Sequence, residues 1–153
     1  MAVGRSRVVV HDEALQRMLS RLNGNWPDLQ RQLLTRYAEA VLKNAQENTT
    51  AGNPLHVRSG RLRRSLGWEF RGNDTAAVGT NVEYGPIHEF GGTITPRSAS
   101  ALRFQVNGQW VTTQKVRMPR RPWLGPALLD FARSAQQQSV SRSVLRRFLR
   151  AQS

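Results

Sequence analysis

The sequence predicts an α+β fold: a small antiparallel β-sheet or sandwich packed by a long N-terminal helix, with helices again at the C-terminal end. Three observations predict it. An apolar stripe at helical spacing runs through residues 28–47, two-residue alternation recurs at Trp68 and Phe70 and over 102–106, and helical periodicity returns after Pro126. At 153 residues the chain is read as one domain able to bury its own core. Its expected parts are an N-terminal arm (1–11), helices (12–47), a β region with short helical turns (56–125) and C-terminal helices (126–151).

Taken in order, residues 1–11 read as a flexible or strand-like arm. Asp12 caps a short helix to about residue 22, with Leu15, Leu19 and Leu22 on one face, and Asn23-Gly24-Asn25 breaks it. The helix over 28–47 follows Trp26-Pro27, with Leu29, Leu33, Tyr37, Ala38, Val41, Leu42 and Ala45 as its stripe. After a loop at 48–54, Arg61 to Leu66 reads as one helical turn leading into a strand that carries Trp68 and Phe70. Gly72-Asn73-Asp74 turns the chain into a second strand over 75–79. A short strand is expected around 93–95. Then comes a hairpin in which Asn107-Gly108 joins residues 102–106 to Gln109-Trp110-Val111. Pro126 opens a helix to about residue 137, and Ser139 or Ser141 caps a last one to residue 151. Val140, Val144, Leu145, Phe148 and Leu149 form the stripe of that last helix, among Arg142, Arg146, Arg147 and Arg150. Such a helix packs on its own domain or a neighbouring subunit, the reading preferred here, or binds a membrane or partner.

Composition narrows the function classes. The absence of cysteine excludes disulfides, thiolate zinc sites and cysteine nucleophiles, and fits synthesis in a reducing cytoplasm. No run has the length of a membrane span, and Val8-Val9-Val10 is too short for a signal segment. The formal charge of +13 is uneven. Residues 73–95 carry Asp74, Glu83 and Glu89 and no Lys or Arg, whereas 96–125 carry Arg97, Arg103, Lys115, Arg117, Arg120 and Arg121 and no acid. That pattern fits a polyanion or an acidic protein nearby, or a solvated basic surface.

Two segments stand out, Tyr84-Gly85-Pro86-Ile87-His88-Glu89-Phe90-Gly91-Gly92 and Met118-Pro119-Arg120-Arg121-Pro122-Trp123-Leu124-Gly125. Gly91, Gly92, Pro119, Pro122 and Gly125 set loop shape, and Tyr84, Phe90 and Trp123 give each loop something to bury. Trp123 is either an anchor on a neighbour or part of its own core. His88-Glu89 resembles the start of a zinc-protease motif, but the second histidine is replaced by Gly92, and the glycine pair would break the aligning helix. There is no phosphate loop, dinucleotide fingerprint or acidic cluster, so no enzyme is expected. Glu89 is expected to pair with an arginine. Arg58, Arg61, Arg63 and Arg64 form a basic patch suited to nucleic-acid backbone contacts without sequence preference.

With Ser59-Gly60-Arg61-Leu62-Arg63-Arg64-Ser65-Leu66, the two segments form an ordered set that resembles the virion morphogenesis family of tailed bacteriophages. These are the tail-completion or head–tail joining neck proteins of Mu-like and lambdoid phages. The likeness covers Ser59 to Leu66, Tyr84 with His88 to Gly92, and Pro119 with Arg121 to Gly125, within about residues 28–131. The arm and the last helix lie outside it. The resemblance implies a structural virion protein, assembled in the host bacterial cytoplasm, that forms a ring at the phage neck or tail terminus and joins the tail to the DNA-filled head. It implies no catalysis and no cofactor. Its expected partners are further copies in a six- or twelve-fold ring, adjacent connector and tail proteins, and packaged DNA, with no membrane. Tyr84, His88, Glu89, Phe90, Arg121, Trp123 and Leu124 are then the candidate interface residues, and Arg58, Arg61, Arg63 and Arg64 the candidate DNA-facing patch. The alternative is a sequence-independent nucleic-acid-binding protein using its arginine patches.

Overall fold

A computed structural model describes residues 7–10, 26–49, 55 and 60–151. In chain order the elements are β1 (Arg7–Val10), α1 (Trp26–Asn48), α2 (Arg61–Arg64), β2 (Leu66–Phe70), β3 (Ala76–Thr80), α3 (Gly85–Phe90), β4 (Gly92–Ile94), β5 (Leu102–Val106), β6 (Gln109–Thr113), β7 (Val116–Met118), α4 (Leu124–Arg133) and α5 (Ala135–Arg150). The architecture is the expected α+β arrangement. The helix predicted over 12–22, most of the loop at 48–54, and Arg58 and Ser59 lie outside the described residues.

Helix α1 organises the core. It starts two residues earlier than predicted, at Trp26, because Pro27 suits a first helical turn that has no use for its missing N–H. Asp28 complements the positive end of the helix dipole. The predicted stripe is buried and is widened by Leu34 and Ala40, while Leu42 is half-buried. The widening follows from the neighbours: α1 packs against β2 and β3 and also against α4 and α5. Its solvent side carries the pairs Arg36–Glu39 at 3.0 Å and Lys43–Glu47 at 4.0 Å. Exposed pairs of this kind contribute little to stability.

The main sheet has the order β1-β3-β2, antiparallel throughout, with Val8 and Trp68 both opposite Val78. The strand-like reading of the arm therefore holds for Arg7–Val10. Strand β3 is the middle strand, and Ala76, Ala77, Val78 and Thr80 are all buried, so its run is small and apolar rather than alternating. Trp68 and Phe70 project from one face of β2, meet edge to face at 5.1 Å and pack against the core. The guanidinium of Arg31 on α1 lies 4.2 Å from the centre of the Phe70 ring.

Two further antiparallel ribbons are formed, β4 with β7 and β5 with β6. In the second, Asn107 (φ 51°) and Gly108 (φ 81°) both adopt positive φ, the backbone demanded by a tight two-residue hairpin turn. The C-terminal helices differ from expectation. Helix α4 ends at Arg133, and α5 begins at Ala135 rather than at a Ser139 or Ser141 cap. Ser134 makes the break: its backbone is extended (ψ 156°) and its hydroxyl donates to the Phe131 carbonyl at 2.9 Å. Ser141 lies inside α5, hydrogen-bonded to the Tyr37 hydroxyl at 2.6 Å, and Tyr37 also meets Phe131 edge to face at 5.3 Å. One tyrosine thus ties α1 to both C-terminal helices. The stripe of α5 faces the core, with Val144 buried and Val140, Leu145 and Phe148 half-buried against it. Among the described residues no helix is long and apolar enough to cross a membrane.

Candidate functional site

The two landmark segments meet. The first is not an open loop, as its glycines and proline suggested, but the short helix α3, because Pro86 supplies a helical φ at its first turn. Gly85 is required by proximity, since a β-carbon there would fall 2.6 Å from Thr80 Cγ2. The helix stops at Gly91, whose φ of 70° is left-handed. A β-carbon at Gly91 would lie 3.0 Å from the Arg120 nitrogen and 3.2 Å from the Met118 carbonyl oxygen. Backbone therefore passes against backbone, and β4 pairs with β7 from Gly92 opposite Met118. The Arg121 N–H donates to the His88 carbonyl at 2.8 Å, and Arg120 Nε donates to the Glu89 carbonyl at 3.3 Å.

Glu89 closes the junction. Its carboxylate is buried, with only 5% of the residue exposed, and accepts three backbone N–H groups. Oε2 takes those of Trp123 at 2.8 Å and Leu124 at 2.9 Å, and Oε1 takes that of Gly125 at 2.9 Å. These are the unpaired donors at the start of α4, which has no capping side chain of its own. The next residue is Pro126, which has no N–H, so one carboxylate satisfies the whole first turn. The negative charge also sits at the positive end of the α4 dipole. Gly125 is needed for the approach, because a β-carbon there would lie 3.0 Å from Glu89 Oε1. The expected arginine pairing of Glu89 is thus corrected: its carboxylate caps a helix, and the arginine beside it reaches the backbone carbonyl instead.

Trp123 resolves to the inside of its own subunit. It is 0% exposed, its indole fills the core beside Leu124, Ala127 and Phe131, and its carbonyl accepts Asn48 Nδ2 at 2.9 Å. Burial of His88 and the nearby Arg121 cation both hold its pKa below the ordinary histidine value. The ring stands edge to face with Tyr84 at 5.8 Å. Among the candidate interface residues, Glu89, Trp123 and Leu124 lie inside, His88 is half-buried, and Tyr84, Phe90 and Arg121 are exposed, Phe90 at 65%. Pro119 is exposed and Pro122 half-buried. Arg61, Arg63 and Arg64 project from α2 at the surface, after Gly60 with φ 66°.

The sequence did carry a signal for Glu89. Trp123-Leu124-Gly125-Pro126 opens a helix with no Ser, Thr, Asp or Asn to cap it, which demands an acceptor from elsewhere.

Fold and junction define an α+β protein whose central polar group is spent on holding two chain segments together. The chain matches the phage virion morphogenesis family over residues 35–149 and belongs to that family. Its role therefore lies in building the phage particle. The matched region runs through the last helix, which the motif likeness had left outside. No curated protein and no solved structure matches the chain.

Proposed function

We propose that this protein is a structural subunit of a closed ring at the phage neck or tail terminus, completing the tail and joining it to the DNA-filled head. No catalytic step is assigned to it. The observation that carries the reading is the apolar rim around the Glu89 junction. Tyr84 just before α3, Phe90 at its end and Ile94 on β4 are exposed, and the backbone beside Phe90 and Ile94 is locked by the carboxylate cap and the β4–β7 pairing. Exposed aromatics on pre-ordered backbone suit association, because little conformational freedom is lost when a neighbour covers them. Opposite charges on successive segments, with Asp74 and Glu83 before the rim and arginines after it, supply two unlike surfaces. A ring needs that, since a heterologous contact closes only when one patch meets a different one.

Cryo-electron microscopy of virions and native mass spectrometry of the purified protein test the proposal. The expected result is a six- or twelve-fold ring of this chain at the neck or tail end. A strict monomer that is absent from the particle overturns it.

A further inference from the structure

We infer that the β5–β6 hairpin with the adjoining β7 strand is a nucleic-acid-binding arm that grips the phosphate backbone of duplex DNA. The hairpin side chains divide between two faces. Phe104, Val106 and Val111 share one face, and Arg103, Gln105, Trp110 and Thr112 share the other. All four residues of the second face are exposed, Trp110 at 61%, and the Arg103 guanidinium lies 4.6 Å from the centre of the Trp110 ring. A tryptophan held outward under a cation presents a flat apolar surface beside a positive charge.

The surrounding charge has one sign. Arg97, Arg103, Lys115 and Arg117 are exposed and have no carboxylate within ion-pair reach among the described residues. Lys115 and Arg117 line one groove of about 740 Å³ with Arg120. Glu89, the acid before this segment, is already occupied by three N–H groups, and Asp130, the acid after it, forms no ion pair with any of the four cations among the described residues. Asp74 and Glu83 of a second copy supply two carboxylates against these four cations, so a ring contact still leaves positive charge for a polyanion. The width of a two-stranded ribbon matches the major groove of B-DNA, about 12 Å across. This arm is distinct from the Arg61–Arg64 patch. It rests on the proposed virion role only in taking duplex DNA as the polyanion.

The test is fluorescence anisotropy of a labelled 30-base-pair duplex of random sequence with the full chain. Four cations each neutralising one phosphate give a log–log salt slope of about −3.6, or about 150-fold weaker binding between 50 and 200 mM salt. The triple variant R103Q/K115Q/R117Q is expected to make the slope about 2.7 units shallower, and R142Q/R146Q/R150Q on α5 to leave it unchanged. Duplex is also expected to quench tryptophan emission in the wild type, and not in W110F, whose salt slope stays the same. The inference is overturned by an unchanged slope in the hairpin variant, by a loss confined to the α5 variant, or by a hairpin variant that alters self-association and not DNA binding. The wild-type protein separates the two proposals: a ring in the particle with no duplex binding sinks this inference alone, and duplex binding by a protein absent from the virion sinks the ring alone.

Discussion

Replacing Glu89 by glutamine tests the junction most directly. The side chain keeps its length and one carbonyl oxygen, so the Trp123 and Leu124 N–H groups can still be accepted where Oε2 stands. The amide NH2 then takes the place of Oε1, and its donors face the Gly125 N–H. One charge-assisted bond worth about 1.5–3 kcal/mol is lost, and the other two weaken to neutral bonds. The negative charge also leaves the α4 N-terminus, a further cost of about 0.3–1 kcal/mol. The expected total is about 3 kcal/mol, or a Tm lower by about 9 °C at roughly 3 °C per kcal/mol for a chain of this size. Glu89→Ala strands three donors and is expected to cost more. Urea titration with circular dichroism measures both, and Glu83→Gln, an exposed carboxylate, is the control expected within about 0.5 kcal/mol of wild type. A Glu89→Gln protein within about 1 kcal/mol of wild type would refute the capping account.

Three further outcomes follow from the same region. Trp123→Ala is expected to cost about 3–5 kcal/mol in thermal melts, because the indole is fully enclosed, while Arg120→Ala costs under about 1 kcal/mol; equal small effects would remove Trp123 from the core. Gly91→Ala is expected to cost more than about 1 kcal/mol, since φ is 70° and the new methyl meets the Arg120 and Met118 backbone. Gly67→Ala has open space and serves as its control. The lowered pKa of His88 means that the unfolded chain binds its proton first as pH falls. Stability from this group is therefore full above the ordinary value of 6.5 and declines below it. His88→Gln should flatten that part of the urea-derived stability profile, and a variant profile as steep as wild type would remove His88 as the cause.

Legibility followed the range of the interactions. Helix α1, the β2 and β3 pair and the Asn107-Gly108 turn rest on local patterns, and each was read to within one or two residues at most of its ends. The break between the last two helices was expected at 137–139 and lies at Ser134, and Ser141 looked like a cap because its actual partner, Tyr37, is distant in sequence. At the junction, Gly91, Gly92 and Gly125 were recognised as shape-setting, but the shape itself depends on which backbone passes beside them. Glu89 was the hardest to read. A carboxylate next to a histidine looks chemical, and only the uncapped start of α4, more than thirty residues on, tells that it is structural.

The cap also bears on assembly. Glu89 and Phe90 are adjacent on one short helix, so the turn that buries the carboxylate fixes the direction of the exposed ring. A six-residue helix is too short to hold itself in water, so its order comes from its neighbours: Gly85 bonded to the Val82 carbonyl and packed on Thr80 at one end, and the junction bonds at the other. Loosening the cap therefore frees Phe90 before the core unfolds. A surface that must order itself on binding loses affinity to that ordering, whereas one already fixed does not. Glu89→Gln should accordingly lower ring formation at temperatures well below its own melting point, where Trp68 and Phe70 remain packed. If that variant assembles normally whenever it is folded, the junction serves stability alone, and the apolar rim must be held by something other than Glu89.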